Sequence, residues 1–179
     1  IYIGGITLIR GIKEMVSSLS LIPKTTNVKL ILAGKFESED LEQEIIGLQG
    51  WKYINFKGWV SRKEAAALFN EARIGLVLFH PEPNHIEAQP NKLFEYMSAG
   101  IPVVASDFPL WREIVKGVSC GLLVDPFNQK AIADAIQWLL EHPQEAEEMG
   151  RRGQKAVKER YNWDNEAKKL LKFYQKLLT

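Results

Sequence analysis

Apolar residues along this 179-residue chain fall into two alternating patterns. Short, blunt apolar runs sit at Ile1 to Ile3, Val28 to Ala33, Tyr53 to Phe56, Ile74 to Phe79, Val103 to Ala105 and Gly121 to Val124. Runs without polar alternation predict strands buried on both faces, as in a parallel sheet. Between them, apolar residues recur at helical spacing over roughly Gly11 to Leu21, Ser38 to Gln49, Arg62 to Glu71, Asn91 to Ala99 and Pro109 to Val115. The alternation predicts an α/β domain, a parallel sheet with helices on both faces. Ser61 followed by Glu64 is a capping box, in which each side chain satisfies a backbone N–H at the other's position, and it sets the start of the third helix.

After Asp125-Pro126 the strand pattern stops. Ile132, Ala135, Ile136, Leu139 and Leu140 mark a helix that His142-Pro143 breaks. Gly150 and Gly153 predict interruptions in the next helix, and Asn162 or Asp164 a cap for the last. On that last helix Trp163, Ala167, Leu170, Leu171, Tyr174 and Leu178 share a face, which predicts packing on something larger. Lys168, Lys169 and Lys172 then read as its wet face. Residues 1–179 show no internal repeat, low-complexity segment or Gly/Ser linker, so they read as one domain.

Composition narrows the classes. With 46% hydrophobic and 25% charged residues the chain can bury a full core. Its net charge of +1 sets up no field for nucleic acid or anionic lipid. Its single cysteine, Cys120, precludes an internal disulfide and points to a reducing compartment; beside Gly121 to Val124 it reads as an inert core thiol. No apolar run approaches the ~18 residues of a membrane span, so a cytosolic location is expected. The chain opens directly on a core strand, which predicts a piece of a longer protein.

In an open parallel sheet, ligands bind outside the carboxyl ends of the strands. The first strand runs into Gly4-Gly5 and on to Arg10-Gly11 at a helix start, where bare backbone and a guanidinium suit a phosphate. A Gly-Gly turn is as readily structural, and Arg10 alone is more often a solvated surface charge than a ligand. The stretch after Phe79, His80 to Pro90, is long enough to be functional. It leads into a helix at Asn91 whose free N–H groups and dipole would attract an anion. Glu87 precedes that helix and Glu95 lies inside it, so the two carboxylates flank the anion position. A ligand with hydroxyls at both ends and phosphates in the middle fits; Glu95 as a plain dipole partner fits equally. His80, His85 and His142 lack metal-ligand spacing, and His85 reads as a loop residue. Asp107 is open between a helix cap and a ligand contact, and Trp111 reads as core.

Glu87 and Glu95 form E-x7-E, followed by Ser98-Ala99-Gly100-Ile101-Pro102-Val103-Val104-Ala105-Ser106. This stretch resembles that of the retaining family-four glycosyltransferases. Tyr2-Ile3-Gly4-Gly5 with Arg10-Gly11, Leu30 to Gly34, Phe56-Lys57-Gly58-Trp59-Val60 and Gly121 to Pro126 resemble further motifs of that family along the whole chain. The resemblance implies a Rossmann-like fold, the C-terminal, donor-binding domain of a two-domain GT-B glycosyltransferase, with the N-terminal acceptor domain outside residues 1–179. It implies Glu87 at the donor hexose, Glu95 at the ribose, Arg10 at the diphosphate, backbone of Gln89, Pro90, Asn91 and Lys92 at phosphate, and Gly58, Trp59 and Val60 at the base, with Gly4 and Gly5 in the phosphate loop. Glu87 and Arg10 would be the catalytic pair.

The resemblance further implies retention of configuration, no bound metal and no cofactor. The donor would be a nucleotide sugar, UDP-linked in preference to GDP or ADP, and the acceptor a saccharide or lipid-linked glycan reached through the other domain. That domain leaves room for peripheral contact at the inner face of the membrane; nucleic acid is not an expected partner. Two departures stand out: Gly5 replaces an arginine common in the family, and Ala88-Gln89-Pro90-Asn91-Lys92 replaces Gly-Phe-Gly-Leu-Pro. Lys92 is open between replacing the lost charge and being solvated. The rivals are a sugar-nucleotide 2-epimerase of the same architecture, with only His80 and His85 available, and a non-catalytic nucleotide-sugar-binding module.

Overall fold

The computed structural model describes residues 1–178. Strands β1 (Tyr2–Ile3), β2 (Leu30–Ala33) and β3 (Ile54–Gly58) form one parallel sheet in that order, and β4 (Gly75–Val77), β5 (Val103–Ser106) and β6 (Gly121–Val124) another. The Leu76 amide donates to the Ile1 carbonyl at 3.0 Å, which sets β4 beside β1. The combined order is 3-2-1-4-5-6, and it reverses between β1 and β4.

Alternate strand residues feed two cores, which is why the apolar runs show no polar alternation. Leu30, Leu32, Leu76, Leu78 and Val104 belong to a core closed by α1 (Ile12–Leu19), α2 (Glu39–Ile46) and α7 (Gln129–Glu141). Ala33, Val77, Phe79, Val103 and Ala105 belong to the other, closed by α3 (Arg62–Glu71), α5 (Asn91–Ser98) and α6 (Pro109–Val118). The expected α/β fold with helices on both faces is therefore present. One strand departs from the expectation: β3 lies at the sheet edge, and Asn55, Phe56 and Lys57 on it are exposed.

Caps account for several boundaries. The Ser61–Glu64 box is formed in both directions, at 2.7 Å and 3.3 Å. Pro143 takes the first turn of α8 (Pro143–Glu159), with His142 serving as the end of α7 and the cap of α8. Asn162, not Asp164, caps α9 (Trp163–Leu177) through a 3.0 Å bond from the Asn165 amide. Three features add to or differ from the expected pattern. The stretch after β4 holds a single helical turn, α4 (Pro83–Ile86). Helix α8 runs unbroken through Gly150 and Gly153: both are buried, Gly150 where the backbone at Gly100 comes too close for a side chain and Gly153 in tight contact with the Met97 and Cys120 side chains. None of the residues of α9 is fully buried, and its large apolar side chains are exposed among the described residues.

Candidate functional site

The reversal between β1 and β4 opens the two loops that follow them toward each other. After β1 the chain turns at Gly4, with φ +138°, and its amide donates to the Ala33 carbonyl at 2.9 Å. It then makes one 3-10 turn, Leu8–Arg10, ending at Gly11 with φ +74°. A Cβ at Gly11 would stand 1.9 Å from the Leu78 carbonyl oxygen, so glycine is what lets α1 begin this close to the end of β4.

The other wall is the approach to α5. Leu93, Tyr96 and Met97 on the inner face of α5 are fully buried; Leu93 and Met97 contribute about 1.5–3 kcal/mol each by burial. The Tyr96 hydroxyl accepts from the Ile3 amide at 3.1 Å, fixing α5 against the end of β1. No side chain caps α5; the Leu93 amide donates to the Pro90 carbonyl at 3.0 Å, and the N–H groups of Asn91 and Lys92 remain available. Trp111 is core as expected, and its indole N–H also donates to the Ala88 carbonyl at 2.8 Å, pinning the segment just before α5. His85, expected as a loop residue, is a buried plug. Its ring packs on Phe79 with centroids 4.6 Å apart, and its Nδ1 lies 3.1 Å from the His80 carbonyl oxygen. His80 Nε2 lies 3.1 Å from Glu14 Oε2, within ion-pair range although the angles do not make a hydrogen bond.

Two cations converge on the Gly4–Gly5 turn. Arg10 Nη1 is 3.4 Å from the Gly5 carbonyl oxygen, and a Cβ at position 5 would come within 2.8 Å of that nitrogen. Arg10 thus fills the space that a side chain at position 5 would need. Lys92, in the first turn of α5, points inward: its Nζ sits 3.7 Å from the centroid of the Tyr2 ring and 5.1 Å from that of Phe79, with no hydrogen-bond partner. A Cβ on Gly4 would lie 3.1 Å from the same Nζ. Burial, then the charge of Arg10, pull the Lys92 ammonium down to about 7, against a smaller upward pull from Glu95. Burial likewise raises the Tyr2 phenol to about 12, and its hydroxyl donates to the Gly5 carbonyl at 2.6 Å.

Beside the turn lie two adjoining clefts that share Ile3 and Val60. One, of about 290 Å³, is lined by Gly4, Gly5, Gly34, Lys35, Trp59 and Val60 among others. The second, of about 430 Å³, is lined by Val60, Arg62, Phe69 and Glu95. Gly58, with φ +63°, accepts from the Gly34 amide at 2.7 Å and holds this corner, while Trp59 is 68% exposed on the rim. Gly4, Gly5, Arg10, Lys92, Trp59, Val60 and Glu95 are thereby brought into one region. Pro90 stands at the cap of α5 with Asn91 exposed after it; Glu87 and Gln89 are exposed on the approach, and the Glu87 side chain makes no hydrogen bond or ion pair among the described residues. Sequence reasoning missed the aromatic seat of Lys92, though Tyr2 belonged to a motif already singled out, and it missed Arg62, whose only signal was its place at a helix start facing the strand ends. Asp107 is taken by Arg112, with bonds of 2.5 Å and 2.9 Å. Cys120 is buried, which raises its thiol to about 11 and suits an inert group.

The family model described as "Glycosyl transferases group 1" matches residues 1–156. An uncharacterized glycosyltransferase of Methanocaldococcus jannaschii is 28% identical over 98% of this chain and 44% of its own length. The phosphatidyl-myo-inositol mannosyltransferase of Mycobacterium leprae is 31% identical over 86% of this chain and 39% of its own. Among solved structures, Anabaena HepE, determined in complexes with UDP and with UDP-glucose, superposes with a TM-score of 0.81 at 19% identity, over 98% of this chain and 48% of that one. The chain spans less than half the length of each of these three proteins.

Proposed function

From the premise that the chain belongs to the glycosyl transferases group 1 family, we propose that it is the donor-binding half of a retaining glycosyltransferase of family four. In this reading it holds a nucleotide sugar, UDP-linked in preference to GDP or ADP, and a hexose passes to a saccharide or lipid-linked acceptor. The acceptor site belongs to an N-terminal domain outside these residues, and the intact protein works in the cytoplasm or against the inner face of the membrane, in polysaccharide biosynthesis. The observation that carries the reading is the meeting of the Gly4–Gly5 turn, Arg10 and the uncapped start of α5 at the reversal point of the sheet. The HepE complexes with UDP and UDP-glucose support the choice of nucleotide.

In this reading the division of labour is the one the family resemblance implies. The diphosphate lies between the Gly4–Gly5 backbone and the entry to α5, from Gln89 to Lys92. There Arg10 and the helix dipole stabilise the charge that develops as the glycosidic bond breaks. Glu95, beside Ile3 and Val60, takes the ribose hydroxyls, and the base lies toward Gly58, Trp59 and Val60. Glu87, ahead of the helix, reaches the hexose. The 2-epimerase reading needs a histidine placed to move a proton at the sugar; His85 is buried with its Nδ1 against the His80 carbonyl oxygen, and the His80 ring is set between Glu14 and Phe127. Product analysis of the intact protein with labelled UDP-, GDP- and ADP-sugars tests the reading: sugar transferred to an acceptor with its anomeric configuration kept is expected, and an epimerised free sugar or no turnover of any donor would overturn it.

A further inference from the structure

Lys92 is the one buried cation of the site whose surroundings do not match its charge. Its side chain is nine-tenths buried at the start of α5, directly against the turn that the donor reading assigns to phosphate. Tyr2 and Phe79 offer it ring faces, and its Nζ has no hydrogen-bond acceptor. An ammonium has three donors and needs acceptors or water for each. A structural lysine buried this deeply would be expected to end on a carboxylate or carbonyl.

The charged and titratable groups around it act in opposing senses. Arg10, from the turn after β1, opposes its charge; Glu95, on the same helix, favours it weakly. The Tyr2 phenol stays neutral, and His85 packs on the far-reaching Phe79 ring. In the free protein the ammonium is pulled down to about 7, so just above neutrality the position is mostly an uncharged amine seated on aromatic faces. A diphosphate in the turn supplies the missing acceptors and two negative charges. Both act on the charged form alone.

Resting on the donor reading, we propose that Lys92 is the second cation of the diphosphate site, in place of a side chain at Gly5, and that it takes its proton from solvent when the diphosphate arrives. Empty, the Gly4–Gly5 turn has one permanent cation directly against it, Arg10. Two permanent cations on one turn would repel each other in the absence of ligand; a titrating amine avoids that and becomes a cation as the donor enters. Binding is then coupled to uptake of a proton, and the coupling is reciprocal: protonation tightens the donor as the donor tightens the proton.

Calorimetry of UDP-glucose binding to the intact protein, repeated in Hepes and in Tris, reads this directly, because the difference in buffer ionisation heat counts protons. UDP-glucose is a diphosphate diester with no ionisation near neutrality, so it contributes none. Uptake is expected to be close to zero at pH 6, to rise with a midpoint near 7 and to approach about one proton at pH 8; a histidine would instead have lost its share by pH 8. Lys92→Arg, always charged, should bind with no uptake, and Lys92→Met should bind at least about tenfold more weakly, also with none. Heats independent of buffer at pH 8, or uptake that persists in Lys92→Arg, would overturn the proposal while leaving the donor reading in place. UDP-glucose that fails to bind the folded wild-type protein at millimolar concentration would remove both. Should either variant not fold, the wild-type pH series alone still separates an amine from a histidine.

Discussion

Glu87 and Glu95 are the same side chain on two different backbones, and their consequences should differ in kind. Glu95 stands one turn inside α5, a helix anchored by the buried Leu93, Tyr96 and Met97, and lines a cleft with Val60 and Arg62. Glu95→Gln should weaken UDP and UDP-sugar alike, by about 1–3 kcal/mol for a lost charge-assisted hydrogen bond, with little change in melting. Glu87 lies exposed ahead of the helix, its side chain without a hydrogen bond or ion pair among the described residues, so Glu87→Gln should leave UDP affinity unchanged and lower transfer by the intact enzyme. Equal losses for both ligands in both variants would refute that division. Lys92 carries a separate stability effect. Its ammonium in the fold, at about 7, lies below its ordinary 10.5, so between those values the unfolded chain holds a proton that the fold has released, and stability rises with pH across that window. Below 7 the fold bears the full cost of a buried charge. Lys92→Met removes that cost, so the free variant should melt higher than wild type at pH 6, by roughly 4–10 °C for a few kcal/mol, with the gap narrowing toward pH 10. Melting curves at the two pH values check it: a gap independent of pH would mean that Lys92 is not strained by its charge.

At the scale of elements, the two glycines of α8 show where a local rule gives way to packing. Read alone, Gly150 and Gly153 are poor helix formers by about 1 kcal/mol each, which is why the sequence predicts breaks there. In the fold, α8 crosses the end of α5 so closely that a Cβ at Gly150 would stand 1.9 Å from the Gly100 carbonyl oxygen, and one at Gly153 would stand 3.3 Å from Met97 and Cys120 side-chain atoms. Gly150→Ala should therefore destabilise the protein by roughly 1–3 kcal/mol despite alanine's better propensity, whereas Gly153→Ala, which meets only movable side chains, should cost less. Chemical denaturation of both variants ranks them; a stabilised Gly150→Ala would contradict the close crossing. The same contrast explains what was legible in the sequence. Six strands and the helices between them were readable because blunt apolar runs and capping pairs such as Ser61–Glu64 are local signals. The edge position of β3, the continuity of α8 and the exposure of α9 depend on which element lies next to which, and no local pattern encodes that. Likewise the motifs pointed to Arg10, Glu87 and Glu95, but the inward turn of Lys92 required the rings of Tyr2 and Phe79, which are 77 positions apart in sequence, to meet around it.

For the molecule as a whole, the clefts are open on one side. The diphosphate position has walls on β1 and α5, yet Trp59, Glu87, Gln89 and Asn91 face solvent rather than a further layer of protein. A donor bound here keeps part of its surface wet and its anomeric carbon exposed, so little of the binding energy needed to align a second substrate is available from these residues. Helix α9 has the same character: Leu170, Leu171, Phe173 and Tyr174 are exposed and nothing on the helix is buried. Removal of residues 162–179 should then leave the melting temperature of the remaining chain within about 2 °C, since almost no apolar burial is lost. That shortened chain should bind UDP weakly, with a dissociation constant on the order of 0.1–1 mM, and transfer no sugar, while the intact protein transfers. Calorimetry and a radiolabelled-donor assay on the three forms, intact, residues 1–179 and residues 1–161, would decide. Turnover by either short form would show that the acceptor is bound by the residues described here. A large loss of stability on removing α9 would show that its apolar face, contrary to the packing seen, is held against this domain.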